Sequence, residues 1–396
     1  MKRYLLPVLG SGLLVLGACN KDDLKNGPIV YDNGPTDSLK LNQLQVIASH
    51  NSYHLRTDTA VFNFLLGLDS LGVIPSEYDP HGIDYFHEPL DVQLGQYGVR
   101  GLELDIYNDP QGGQYYYRAG KGLCGLNAAS GIDELLQPGF KMIHIVDFDY
   151  NSTNVTFKGG LETVYAWSAA HPNHLPIFIN IECKEDVPAD VISGLPSLTH
   201  SVPYDAAACD AMDAEIKSVF GNNLDKVITP DKVRGTYATL EEAVLAGNWP
   251  KLSECRGKVV FIMQGAAESL YKTGHPSLSG RAMFVYSDPG TPEAAFVILN
   301  NPVGSFSSIQ QRVQQGYIVR TRSDANTDEA RSGDYTGMNA AFASWAQIVS
   351  TDYYRPDPRG AAGGFTDFQV RFPNNELARI DSISAVGKTN LGLIRE

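Results

Sequence analysis

Basic residues are scarce in this sequence. Lysine and arginine together number 31 against 45 aspartates and glutamates, which gives the 396-residue chain a formal net charge of −14. Proteins that bind nucleic acids need a basic footprint that neutralises phosphates, so this balance argues against a nucleic-acid partner. It also argues against broad electrostatic adhesion to anionic membranes. A few cations gathered in one pocket remain compatible with it.

Cysteine is rare as well, with five in the whole chain. Four of them stand far apart, namely Cys124, Cys183, Cys209 and Cys255. Zinc sites are built from closely spaced pairs of ligands, so this scatter argues against a zinc centre. An exported compartment would permit disulfides, but their pairing cannot be deduced from the sequence.

The apolar run at the N-terminus is too short to span a bilayer. It covers residues 4–15 and follows the basic pair Lys2 and Arg3, as in an export signal. The next four residues, Leu16-Gly17-Ala18-Cys19, are typical of a bacterial lipoprotein signal. We therefore predict a signal peptide over 1–18, acylation of Cys19 and a flexible tether over 19–40. A plain secretory signal with an incidental cysteine is the alternative.

Eight short apolar runs follow, separated by stretches long enough for helices. Several are apolar almost throughout, which is typical of parallel strands covered on both faces. They cover residues 44–49, 101–107, 142–146, 177–181, 226–229, 259–264, 317–321 and 347–351. This order predicts an α/β fold of the TIM type, a (β/α)8 barrel whose long loops lie over its C-terminal face. We expect one catalytic domain over 41–396.

Further elements are predicted around these runs. Helical patterns cover 159–170, 210–220 and 328–345, and residues 282–285 are able to add a strand. The alternation of Phe368, Val370 and Phe372 predicts a terminal strand within the same domain.

Acidic residues occur within the predicted strands. Glu103 and Asp105 are two positions apart, so both carboxylates project from the same face of their strand. Two like charges buried together need a cation, and Glu182 adds a third carboxylate from another apolar strand. With the amide oxygen of Asn51 they form an all-oxygen ligand set, which suits Ca²⁺ better than Mg²⁺ or Mn²⁺.

Taken together, four motifs resemble the active site of the calcium-dependent phosphoinositide-specific phospholipases C, in particular their small bacterial branch. These motifs are His50-Asn51-Ser52, Glu103-Leu104-Asp105, His144, and Glu182 with Lys184. The resemblance extends from about residue 41 to the final strand. It implies a TIM-barrel phosphodiesterase with Ca²⁺ as cofactor.

The resemblance also implies roles for single residues. Asn51, Glu103, Asp105 and Glu182 match the metal ligands, while His50 and His144 match the two catalytic histidines. Lys184 and Arg320 are expected to contact substrate phosphates. Lys258, Arg322, Asp324 and Asp352 are charged positions late in the barrel to which no role is assigned.

The implied reaction cleaves phosphatidylinositol-type phospholipids to diacylglycerol and an inositol phosphate. The inositol 2-hydroxyl attacks phosphorus, and either Glu103 or Glu182 takes its proton. His50, as an imidazolium, stabilises the phosphoryl charge, and His144 protonates the departing glycerol oxygen.

Two other functions remain open from the sequence alone. A glycerophosphodiester phosphodiesterase shares the barrel, although that family usually has His-Arg where this chain has His50-Asn51. A surface lipoprotein that binds a lipid or glycan without turnover is the other. We expect a monomer that contacts a phosphodiester substrate and the membrane through its lipid anchor, at the outer membrane or cell surface.

Overall fold

The computed structural model describes residues 34–75, 78–192 and 194–396, which belong to one compact unit. The predicted signal peptide, Cys19 and the tether up to residue 33 lie outside the described residues. The end of the predicted tether is already folded, because Pro35–Ser38 form a 3-10 helix and Leu39 is buried. Asp37 there binds Arg256, with 2.8 Å between the charged atoms. The folded part therefore begins before the predicted boundary at 41.

The centre of the molecule is a parallel β-barrel. Its strands and two short additions are β1 (Leu44–Ser49), β2 (Gly101–Tyr107), β3 (Lys141–Met142), β4 (Ile177–Cys183), β5 (Val259–Gly265), β6 (Phe284–Val285), β7 (Phe296–Ile298), β8 (Ile318–Arg322), β9 (Ile348–Thr351) and β10 (Ala378–Ile380). Eight strands follow in the order β6-β5-β4-β2-β1-β9-β8-β7. A parallel bridge between Tyr286 and Phe296 joins the two ends. The predicted TIM-type barrel is confirmed as a nearly closed one.

Two of the eight predicted strands are wrong. Residues 226–229 form no strand, and Val227 contributes an isolated bridge to Val259. In the 142–146 run, Met142 belongs to the two-residue β3, which pairs antiparallel with β2, and the chain then enters a tight turn. The barrel takes β6, which overlaps the additional strand predicted at 282–285, and β7, which the sequence did not predict.

The predicted terminal strand is also misplaced. Phe368, Val370 and Phe372 are buried but belong to no strand. The strand that ends the domain is β10, which lies a few residues later and pairs antiparallel with β1.

Helices cover the outside of the barrel and its loops. They are α1 (Thr59–Ser70), α2 (Leu90–Gly95), α3 (Ala119–Leu123), α4 (Phe157–Ala170), α5 (Pro188–Val191), α6 (Ala206–Phe220), α7 (Pro230–Arg234), α8 (Leu240–Leu245), α9 (Leu252–Cys255), α10 (Glu268–Lys272), α11 (Phe306–Gln315), α12 (Asp328–Ser332) and α13 (Thr336–Ser344). The helix predicted over 328–345 is two helices, because Gly333 between them has φ of 73°, which ends a helix.

Alternate positions of the strands separate the outer core from the barrel interior. Leu102, Leu104 and Ile179 belong to the main hydrophobic core. Glu103 and Asn180, which alternate with them, are buried and paired across β2 and β4. The barrel interior is therefore polar below the C-terminal ends of these strands. Among the described residues, no helix has the length and apolar character needed to cross a bilayer.

Candidate active site

The end of β1 places His50 and Asn51 at the C-terminal face of the barrel. Asn51 has a left-handed φ of 45°, a conformation that asparagine tolerates well. Ser52 braces this turn, because its hydroxyl accepts the Glu103 N–H at 2.8 Å. The Asn51 side-chain NH₂ donates to the Tyr85 hydroxyl at 3.0 Å. That bond fixes the orientation of the Asn51 amide.

Three carboxylates from two neighbouring strands converge beside this turn. The register of β2 and β4 pairs Asp105 with Glu182, while Glu103 lies two positions earlier on β2. One carboxylate oxygen from each of the three lies within 4.8 Å of the others. Burial raises the pKa of Asp105 well above its ordinary value, and Lys184, 3.4 Å away, opposes this shift.

The donor atoms of this cluster fit a hard cation. Asn51 Oδ1 and Asp105 Oδ1 are both buried and have no hydrogen-bond partner among the described residues. Buried polar atoms are almost always satisfied, so two such oxygens beside a carboxylate cluster indicate a ligand. Oxygen donors alone are the set that Ca²⁺ prefers. The predicted ligands Asn51, Asp105 and Glu182 therefore fit a calcium ion.

Glu103 and Arg320 occupy a deeper layer of the barrel. The two form a buried ion pair of 2.5 Å, with side chains 3% exposed each. The other Glu103 oxygen accepts from Asn180 at 2.8 Å. Arg320 thus faces Glu103 and not the cleft above, so the predicted phosphate contact does not follow from its position. Arg322, two residues later on β8, lines the cleft instead.

His50 is held by a pair of charged residues from β8 and the end of β9. Its Nδ1–H donates to Asp352 Oδ1 at 2.8 Å, and Arg322 binds Asp352 Oδ2 at 3.1 Å. Burial, followed by the nearby Arg322 charge, lowers the pKa of His50. The main-chain carbonyl of His50 accepts from His87 at 2.7 Å. Both the ring and the backbone of His50 are therefore fixed.

His144 lies on the tight turn after β3. Its Nδ1–H donates to Asp149 Oδ2 at 2.7 Å, and the same oxygen accepts from His54 Nε2 at 2.7 Å. Thr57 donates to the other Asp149 oxygen. Burial lowers the pKa of His144 to about 4, although the hydrogen bond to Asp149 acts in the opposite direction. Since Nδ1 is engaged, Nε2 is the nitrogen left for a substrate.

A cleft of about 680 Å³ joins these groups at the C-terminal face. Six of the predicted site residues line it, namely His50, Asn51, Asp105, His144, Glu182 and Lys184. Lys184 contacts Asp105 there, and although burial acts to lower the pKa of Lys184, Asp105 and Glu182 raise it above its ordinary value. Both histidines and two of the three carboxylates therefore line one cleft.

Comparison with known proteins agrees with this geometry. A family model described as "Phosphoinositide phospholipase C, Ca2+-dependent" matches residues 39–382. The chain belongs to this family. Membership makes it a phosphodiesterase-type enzyme of lipid hydrolysis, in a family that depends on calcium. No curated protein sequence gives a significant match.

Solved structures of several bacterial enzymes resemble the chain. A calcium-dependent phosphoinositol-specific phospholipase C from Pseudomonas sp is 17% identical, with a TM-score of 0.49 over 84% of this chain and 96% of that one. A calcium-dependent phosphatidylinositol-specific enzyme from Streptomyces antibioticus is 18% identical, with 0.48 over 80% and 95%. A glycerophosphoryl diester phosphodiesterase from Parabacteroides distasonis is 11% identical, with 0.29 over 81% and 86%.

Several residues of the site of this family member were not singled out in the sequence. Asp149 and Tyr85, which bind His144 and Asn51, are two of them, and Asp352 and Arg322 had no assigned role. The spacing of His144 and Asp149 offered a usable signal, because a carboxylate five residues after a histidine can return to it through a tight turn. Tyr85 offered none, since it lies in a long loop far from Asn51 in sequence.

Proposed function

We propose that the protein is a calcium-dependent phospholipase C that cleaves phosphatidylinositol-type lipids to diacylglycerol and an inositol phosphate. One observation carries the proposal: two histidines from separate elements, each bound to its own buried carboxylate, line the same cleft as an oxygen-only ligand set. A protein that only binds lipids or glycans would not need two histidines oriented in this way. A metal site without histidine ligands leaves both imidazoles available for chemistry.

The residues divide the reaction between them. Glu182 is the proposed general base for the inositol 2-hydroxyl, since it lines the cleft whereas both oxygens of Glu103 accept bonds from the chain. His50 faces the phosphoryl group, whose negative charge opposes the burial that lowers the pKa of His50 and favours the imidazolium that stabilises this charge. His144 donates a proton from Nε2 to the glycerol oxygen that leaves. Ca²⁺, when bound by Asn51, Asp105 and Glu182 with Glu103 beneath them, would neutralise phosphoryl charge and acidify the hydroxyl.

The few basic and many acidic residues that line the cleft favour an inositol head group that carries no additional phosphates on its ring. Its lysine and arginine lining residues, among the described ones, are Lys184 and Arg322, and each is paired with a carboxylate. Six acidic residues line the same cleft, namely Asp79, Asp105, Glu182, Glu185, Asp186 and Asp352. Among the lining residues that the structure describes, a polyphosphorylated head group would find no unpaired lysine or arginine. We therefore expect phosphatidylinositol to be cleaved in preference to its ring-phosphorylated forms.

The deciding experiment measures turnover of phosphatidylinositol with calcium and with a chelator. Asp105→Asn should weaken calcium binding, measured by isothermal titration calorimetry, and reduce turnover while the fold is kept. Asp381→Asn is the matched control, because Asp381 is a buried carboxylate that does not line the cleft. Chelator-resistant turnover, or unchanged calcium affinity in Asp105→Asn, would contradict the proposed metal site. Preferential turnover of simple glycerophosphodiesters would favour a glycerophosphodiester phosphodiesterase.

The location of the enzyme is a separate proposal. Acylation of Cys19 would anchor the enzyme at the outer membrane or cell surface, close to lipid substrates. Cys19→Ser should abolish partitioning into the detergent phase and release the protein from washed membranes. Continued membrane association of this variant after an alkaline wash would contradict the anchor.

A further inference from the structure

One side of the cleft is lined by apolar side chains that form a small core of their own. This apolar wall consists of Leu65, Ile74, Ile83, Ile145, Phe148 and Ile192. Its residues come from α1, the loop after α1, the turn that carries His144, and the residue after α5. They pack on one another and not on the main barrel core. Because the wall also borders the cleft, its apolar surface can meet a ligand.

The wall lies on the side of His144. Ile145 follows His144 directly, and Phe148 belongs to the same tight turn. The Nδ1 atom of His144 is bound to Asp149, so Nε2 is the atom that can serve the leaving group. A leaving group that takes its proton from His144 therefore departs beside Ile145 and Phe148. Apolar neighbours at that point favour an alcohol that carries hydrocarbon.

The size of the cleft and the exposure of its outer end suit the hydrocarbon chain of a lipid. Clefts of about 300–1,000 Å³ hold ligands of the size of a drug molecule, and this one, at about 680 Å³, lies in the middle of that range. At its outer end, Tyr78 is 52% exposed and Val191 is 49% exposed. Both residues line the cleft as well. An apolar path thus leads from His144 along the wall to solvent.

We propose that the apolar wall is a binding subsite for the first methylenes of an acyl chain on the departing diacylglycerol. The subsite rests on the proposed function. It adds that the protein itself binds part of the acyl chain, including the acyl chain of a lipid that is dissolved as a monomer. Binding there aligns the glycerol oxygen with His144. The length of the acyl chain then affects turnover even where no membrane or micelle is present.

The test compares substrates that share the phosphodiester and differ in their chains. These are glycerophosphoinositol, dibutanoyl- and dihexanoyl-phosphatidylinositol, each below its critical micelle concentration and with calcium present. Burial of each methylene should raise kcat/KM about fourfold until the chain reaches the mouth of the cleft. Ile192→Ser and Ile74→Ser should each reduce this gain and leave glycerophosphoinositol turnover unchanged. Leu245→Ser is the control, since Leu245 is 53% exposed and lies outside the cleft.

A second measurement needs no turnover. Calorimetric titration with dihexanoylglycerol, the apolar product, should show binding to the wild-type protein and weaker binding to Ile192→Ser. Equal kcat/KM for all three diesters without detectable binding of this product would overturn the subsite, and so would equal losses in Ile192→Ser and Leu245→Ser. If no inositol phosphodiester is cleaved, the proposed function fails, and the titration alone decides on the subsite.

Discussion

The carboxylates that bind the two candidate catalytic histidines, His50 and His144, differ in their second partner. Asp352, which binds His50, also binds Arg322, so a guanidinium lies close to that imidazole. Asp149, which binds His144, instead accepts a second imidazole from His54. Although burial acts to raise the pKa of Asp149, its histidine neighbours and their hydrogen bonds hold it below its ordinary value. An anionic Asp149 favours an imidazolium at His144 when the leaving group needs a proton.

This difference predicts distinct responses to leaving-group chemistry. His144→Ala should lose about 10²–10⁴ in rate on a natural lipid, whose alkoxide must be protonated. It should lose far less on a nitrophenol-type ester, which departs without a proton. His50→Ala should lose activity on both substrates, because phosphoryl charge develops in each reaction. Steady-state rates of the two variants on the two substrates test this division, and equal losses throughout would contradict it.

At the residue level, the sequence predicts the convergence of site residues best where these residues are close together in the chain. His50 and Asn51 end a barrel strand, and Glu103 and Asp105 share one strand face, so their convergence follows from the barrel itself. Which of the two arginines on β8, Arg320 or Arg322, lines the cleft does not follow from the sequence in this way. Both point to the same side of β8, and only the stagger of the strands decides which of them reaches the cleft.

Among the elements, the turn over residues 143–149 has the largest effect on the site. Asp147 within it has a φ of 70° and is buried, and it accepts hydrogen bonds from Ala119 and Thr199. Ala119 is the first residue of α3, and Thr199 lies in the loop before α6. The turn that carries His144 is therefore held by a helix start, by a loop and by Asp149 at its end.

Replacing Asp149 tests whether this residue sets the pKa of His144 or only stabilises the turn. In Asp149→Asn the charge that opposes desolvation is lost, so the pKa of His144 should fall below its present value of about 4. Turnover of the lipid should drop by at most about tenfold for each pKa unit, because the protonated fraction falls while the imidazolium becomes a stronger acid, and the effect on a nitrophenyl ester should be smaller. An NMR titration of His144 together with both rates measures this.

The control for that variant is Thr57→Val, which removes one hydrogen bond to Asp149 and keeps both histidine bonds. It should leave the pKa of His144 close to the wild-type value. Equal losses on the lipid and the nitrophenyl ester in Asp149→Asn would show that Asp149 has only a structural effect on the turn.

Long elements were predicted well and short ones poorly, for a physical reason. The runs that became β1, β2, β4 and β5 are long enough for apolar patterning to stand out. β7 contains three residues, too few for any period to be recognised, while β6, with two, falls within a stretch that was predicted only as an additional strand. The run at 226–229 is as apolar as a strand, yet tertiary packing buries Val227 and Ile228 without placing them in a ladder.

At the scale of the whole molecule, the last residues close the N-terminal end of the barrel. Glu396 forms a bidentate ion pair with Arg100, whose side chain is 2% exposed. The same carboxylate accepts from the Leu175 N–H at 2.6 Å. Arg100 directly precedes β2 and Leu175 precedes β4, so this one side chain ties the starts of two site-bearing strands together.

Loss of this pair should destabilise the fold without altering the cleft. Glu396→Gln leaves the buried Arg100 without an anionic partner and should lower the free energy of unfolding by about 1.5–3 kcal/mol. Urea denaturation measures the loss as a lower midpoint with an unchanged slope. Leu393→Ser, at a 57% exposed position in the same tail, should change little. A similar loss in both variants would mean that general tail packing, and not the ion pair, is responsible.

The junction between β6 and β7 has a consequence for how the barrel fluctuates. Among the described residues, these two strands meet through the Tyr286–Phe296 bridge, whereas β4 and β5 are paired over seven positions. A seam with so little pairing opens readily, so amide hydrogen exchange should be faster here than in β4 and β5. In the strand order the seam lies farthest from β1 and β2. β1 and β2 are themselves in register at one position, Ala48 with Gly101, but the N–H and hydroxyl of Ser52 both bind the Glu103 backbone across that junction. Opening at the β6–β7 seam therefore leaves the turn that carries Asn51 bound to the strand that carries the carboxylates.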